Sequence, residues 1–149
     1  MRVLNGRGLD SAGFTMVEVL VALLILAVGL LGLAGLQISS LTGSHAAYSR
    51  TQAALYAADM VDRMMANRGA ATVGGYDIGL GDAPCNAATV ACDDLTEWKD
   101  SLSGEINATG GLPGGDGSIA VDADNVATVV VEWTDTSGTS SIQVESRLQ

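Results

Sequence analysis

Positive charge is scarce in this chain: 7 lysines and arginines stand against 17 acidic residues, for a net charge of −10. A nucleic-acid partner requires a basic footprint, so no nucleic-acid role follows. Phenylalanine occurs once while glycine occurs 19 times, which predicts a loop-rich soluble part with a modest core. Histidine is limited to His45, with no nucleophile in a recognisable context around it, so no catalytic set assembles. Cysteine is limited to Cys85 and Cys92. A zinc site takes about four N or S ligands, and only His45 could join the two thiols. Spaced seven apart, the pair reads first as a disulfide closing a small loop in an oxidising compartment, and second as free thiols. No cofactor is called for. "GGLPGGDG" at 110–117 lacks the Lys-Ser or Lys-Thr and the helix start of a phosphate loop, so it reads as a turn-rich connection. "DADN" at 122–125 lacks the glycine and distal glutamate of a calcium loop and reads as a polar turn.

What the chain does have is a long apolar run. Val19 to Leu36 is 18 consecutive residues without a polar side chain. As a helix this run spans roughly 27 Å, against about 30 Å of bilayer hydrocarbon. Arg2 and Arg7 precede it and no Lys or Arg follows until Arg50, so the N-terminus is placed in the cytoplasm and the acidic bulk outside. The run is too long for the core of an ordinary secretory signal, and "LAGLQ" is a poor cleavage site. A lipoprotein signal would need a cysteine after the run, and none is present. Glu18 sits against the apolar edge, where a carboxylate is costly unless it has a partner.

Beyond Gln37 the helical pattern continues without proline to Gly69, the expected C′ cap. Ala46, Ala53, Ala57, Met60, Val61, Met64 and Met65 fall on one arc, with Gln52, Asp59, Asp62 and Arg63 opposite. Asp59 and Arg63 form an i, i+4 pair. Tyr48 and Leu55, seven apart on the polar side, are candidate subunit contacts. Residues 70–92 read as an irregular connection. Asp94 is the expected N-cap of a short helix, with Glu97 at the capping-box position and Leu95, Trp98 and Leu102 on one face. Strands are expected at about 118–122, 126–134 and 141–148, the last two joined by a hairpin turn at "DTSG". Ala127, Val129, Val131 and Trp133 share one strand face, and Ile142, Val144 and Leu148 alternate with Gln143, Glu145 and Arg147. The fold class is therefore α+β: a long N-terminal helix, one half transmembrane and one half amphipathic, packed on a small antiparallel sheet.

"RGLDSAGFTMVEVLVALLILAVGLLGLAGLQ" resembles the class III leader and N-terminal helix of type IV pilins and pseudopilins. The resemblance implies that a prepilin peptidase cuts between Gly13 and Phe14 and methylates the new amine of Phe14. Loss of Arg2, Arg7 and Asp10 would take the net charge from −10 to −11. It further implies that Glu18 is an assembly determinant, pairing with an N-terminal amine as helices bundle into a filament. Gly29, Gly32 and Gly35 then read as sites of close helix packing. The proline that many pilins carry in this stretch is missing here.

Further along, "ADMVDRMMANRGA", "DLTEWKDSL", "LPGGDGSI" and "ATVVVEWTD" resemble, in order, blocks of PilV-type minor pilins, also called type IV pilus modification proteins. That narrower likeness implies a leader at 1–13, a filament-core half-helix at 14–38, an amphipathic half at 39–68 and a periplasmic pilin-like domain at 69–149. The implied partners are other minor and major pilins, the prepilin peptidase, the inner membrane and the pilus assembly platform. Two alternatives remain beside it: a type II secretion pseudopilin of the I type, and a membrane-anchored periplasmic binding module.

Overall fold

A computed structural model describes residues 15–104, 111–136 and 138–148. Helix α1 runs Met16–Ala66, α2 Arg68–Ala71 and α3 Val90–Ser103. Three strands follow, β1 (Asp116–Val121), β2 (Val126–Asp135) and β3 (Gly138–Arg147), in an antiparallel sheet of order β1-β2-β3. The chain divides into two compact units, residues 1–41 and 42–149, so the amphipathic half of α1 groups with the sheet. This is the α+β arrangement expected from the sequence, with strand ends displaced by no more than three residues.

In the second unit, alternation in β2 decides which face is dry. Ala127, Val129, Val131 and Trp133 are all buried, and Ile119 of β1 joins them. Helical spacing brings Ala53, Ala57, Met60, Val61 and Met64 of α1 onto this layer, and Leu95, Trp98 and Leu102 of α3 complete it. The indole N–H of Trp98 donates to the Tyr56 carbonyl at 3.0 Å, tying α3 to α1. Helix and strand approach so closely that a Cβ at Gly117 would collide with the Trp98 ring and with Leu102. Ile142 and Val144 of β3 lie only half-buried at the margin of this core.

Several expectations are corrected. The buried arc of α1 is narrower than its sequence pattern: Ala46 is exposed and Met65 is 39% exposed, because the sheet covers only part of the stripe. Gly69 does not cap α1. The helix is broken at Asn67, which leaves helical geometry (φ −115°, ψ 47°) and accepts at its carbonyl from the amides of Ala70 and Ala71. Gly69 lies inside the short α2 that this starts, without a left-handed φ. Asp94 is not an N-cap either. Thr89 takes that place, with extended backbone and a hydroxyl accepting from Cys92 N at 3.3 Å, and the helix therefore begins about five residues earlier, at Val90. At its other end Gly104 takes φ 81°, the left-handed cap that suits glycine. The 70–92 connection is also less irregular than its composition implies, since Tyr76 is buried and Ile78 bridges Ile119 through two backbone hydrogen bonds. Of the "DTSG" turn, Asp135 pairs with Gly138, while Ser137 lies outside the described residues.

Candidate functional site

The site with the clearest chemistry is the head of α1. Thr15 opens it: its carbonyl accepts from Glu18 N at 3.0 Å and Val19 N at 3.3 Å, and its hydroxyl accepts from Glu18 N at 3.3 Å. Thr15 is thus the N-cap and Glu18 stands at the third helical position, where a carboxylate also meets the positive end of the helix dipole. The reading of Glu18 as an assembly acid overlooked this cap, although Thr-x-x-Glu before an apolar run is a legible signal for it. The Glu18 carboxylate itself has no hydrogen bond or ion pair among the described residues.

Behind it the helix is bare. An 18-residue window has mean hydropathy 2.9, and none of it is buried within the chain. Leu24, Ile25 and Leu31 are each 65% exposed or more. The helix is long and apolar enough to cross a membrane. A Cβ placed on Gly29, Gly32 or Gly35 would meet nothing within 4 Å, so the fold of this chain alone does not require glycine at any of them. Gly13 and Phe14, the expected cleavage and methylation positions, lie outside the described residues.

The helix regains partners in the second unit, where one guanidinium gathers three carboxylates. Arg63 reaches Asp59 at 2.9 Å, as the i, i+4 spacing predicts, and also Glu97 at 2.8 Å and Asp94 at 3.2 Å on α3. The bond to Glu97 is the largest influence holding the Arg63 pKa high, and the same pair pulls Glu97 below its ordinary range. Asp94 also accepts from Tyr76 Oη at 2.5 Å, and that hydroxyl accepts from Asn67 Nδ2 at 3.1 Å. Burial, then the bond to Asp94, raises the Tyr76 pKa to about 12. A second tie is made by Lys99, 9% exposed, whose Nζ donates to the Gly79 carbonyl at 3.1 Å and to Asp116 at 2.5 Å. Burial works against the Asp116 carboxylate, yet Lys99 and the amides of Gly81 and Gly117 hold its pKa below the usual value. Cys85 and Cys92 are joined in a disulfide that pins the 79–85 stretch to the first turn of α3. These groups brace the domain and converge on no reacting centre.

Other candidates stay apart. His45 is exposed, as are Tyr48 and Leu55 at 64% and 61%. Tyr48 Oη accepts from Gln52 Nε2 at 2.7 Å. Among the described residues no three His, Cys, Asp or Glu side chains group as metal ligands. In the "DADN" turn, Asp122 Oδ1 is taken by the amides of Asp124 and Val126 at 2.9 and 2.8 Å.

Residues 9–34 match the family model described as the prokaryotic N-terminal methylation motif. The chain carries a type IV pilin-like prepilin signal. The matched stretch includes Gly13, Phe14, Glu18, Gly29 and Gly32 and stops one residue short of Gly35. No curated protein and no solved structure matches the chain.

Proposed function

We propose that this chain is a minor pilin, a structural subunit that primes assembly of a type IV pilus and enters the filament. It is made with residues 1–13 as leader, cut between Gly13 and Phe14 on the cytoplasmic face, and methylated on the Phe14 amine. Residues 14–38 anchor it in the inner membrane and then join the filament core; 39–68 back the periplasmic domain at 69–149. The observation that carries the reading is the lone Glu18 carboxylate at the head of a helix whose apolar side chains are bare within this chain. Such a surface is costly in water and is covered by lipid first and by neighbouring helices afterwards. A buried acid is tolerated there when an amine meets it, and cleavage creates that amine four residues upstream. The methylation motif supports the processing, while the ordered likeness of the later blocks to PilV-type proteins supports the minor-pilin role.

Two measurements test it. Mass spectrometry of protein from wild-type membranes should find a methylated Phe14 at the mature N-terminus, and Gly13→Ala should leave the leader attached. Glu18→Ala should leave the domain folded yet strongly reduce recovery in sheared filaments. A native chain still starting at Met1, or a Glu18→Ala variant entering filaments at the wild-type level, would overturn the reading. A type II secretion pseudopilin shares the same motif and processing. Loss of surface pili on deletion, with protein secretion intact, identifies the pilus.

A further inference from the structure

The two edges of the sheet are finished differently. The Asp122 amide donates to the Val126 carbonyl at 3.0 Å, so antiparallel alternation turns the backbone groups of Gly117, Ile119 and Val121 away from β2. All three of these amides are met from within the chain. The Asp116 carboxylate takes that of Gly117, the Ile78 carbonyl that of Ile119 at 2.8 Å, and Asp77 Oδ1 that of Val121 at 3.0 Å. The Ile119 carbonyl in turn accepts from the Ile78 amide at 3.0 Å. The β1 edge is closed.

The β3 edge is open. Leu148 N donates to the Asn125 carbonyl at 2.8 Å, which carries the β2–β3 register one pair further and assigns the even-numbered residues of β3 to β2. The backbone groups of Thr139, Ser141, Gln143, Glu145 and Arg147 therefore point outward, and they make no hydrogen bond among the described residues. Proteins usually blunt such an edge with proline, lysine, a bulge or a short strand. β3 has 10 residues in unbroken register, and neither proline nor lysine occurs in it. On its inner face Ile142 and Val144 stay half-buried, so the core is unfinished on the same side.

We propose that β3 is a strand-addition site, where an extended segment of another protein pairs antiparallel and continues the sheet. A second copy of this chain does not fit. Its β1 edge is closed, and pairing β3 with β3 antiparallel points the two helices that lie on the sheet in opposite directions, which anchoring in one membrane forbids. That exclusion rests on the membrane-anchored reading; the open edge does not. The chemistry of the occupant follows from what it faces. Apolar side chains opposite Ile142 and Val144 complete the dry face, while a base meets Glu145 and an acid meets Arg147 on the other face. Read from its own N-terminus, the segment runs acid, any residue, base, apolar, polar, apolar.

The test uses the full chain in detergent micelles and a blocked peptide, Asp-Thr-Lys-Val-Thr-Ile flanked by serines, followed by NMR of the backbone amides. The peptide should shift the Ser141, Gln143 and Glu145 amides saturably and slow their hydrogen exchange, leaving those of Gly117, Ile119 and Val121 in place. N-methylation at the peptide's lysine and at the threonine after its valine, whose amides face β3, should abolish binding. N-methylation at the valine and at the threonine before the lysine, whose amides face away, should spare it. Glu145→Lys should weaken binding roughly two- to thirtyfold, the range for turning a cross-strand ion pair into a like-charge pair. A glutamate in place of the peptide's lysine should then restore it. None of these readouts depends on Glu18 or on cleavage, so they fail separately from the filament reading. No saturable shift, equal binding of the two methylated peptides, or an equal response of the β1 amides would each overturn the proposal. Gln143→Cys oxidising to a linked homodimer in native membranes would give the edge to a second copy and overturn the assignment to another protein.

Discussion

Tyr76 shows how much a single hydroxyl decides in this small domain. Its ring is fully buried, its Oη donates to Asp94, and it accepts from Asn67, the residue that breaks α1. The folded state favours the neutral phenol, raising its pKa from 10.0 to about 12. Its contribution to stability is therefore complete below pH 10 and is lost as pH rises through about 12. Urea melts across that interval should show falling stability, and Tyr76→Phe should flatten the fall. The same variant should cost about 1–3 kcal/mol near neutrality by leaving Asp94 and Asn67 short of a partner. None of this was legible in the sequence. Asp94 and Glu97 look like a capping pair because their spacing fits one, and only the approach of Arg63 from another helix reveals their actual use.

At the scale of elements, what periodicity could reveal it did reveal. The β2 alternation, the Leu95–Trp98–Leu102 face and the Asp59–Arg63 pair all depend on local spacing, and all are realised. Element ends were harder, since Thr89 starts α3 and Asn67 ends α1 through contacts that neighbouring residues do not announce. The Cys85–Cys92 bond holds the first turn of α3 against the preceding connection. Replacing both with serine should lower the unfolding free energy by roughly 2–3 kcal/mol, the chain-entropy value for so short a loop. Chemical denaturation of the purified full chain, with and without reductant, checks it: wild type plus reductant should coincide with the double variant.

For the whole molecule, the excess of acid over base sets the response to pH. Glu97 and Asp116 both have carboxyl pKa values held below their ordinary 4.5 and 3.8, by Arg63 and by Lys99 with the Gly81 and Gly117 amides respectively. Depressed values mean that their stabilisation is present above the ordinary pKa and is lost as pH falls through the folded one. The domain should accordingly hold its melting temperature down to about pH 4.5 and lose it progressively below, as circular dichroism melts would record. The prepilin-type head of the chain was the most legible part of the candidate site, because a membrane run and its charges are written in one dimension. The Thr15 cap lay in the same short stretch. The tie from the Trp98 indole to the Tyr56 carbonyl was not legible, since it joins two helices across 42 residues of chain.

Lys99 is the single lysine of the chain, and it is enclosed between α3, the Gly79 carbonyl and Asp116. A gentle acylating dye is therefore kept from that lysine in the native fold, and the other aliphatic amine of the chain is its α-amine, which methylation would turn from primary to secondary. Colour taken up by the folded chain would report directly on the state of that nitrogen, with no need to separate fragments.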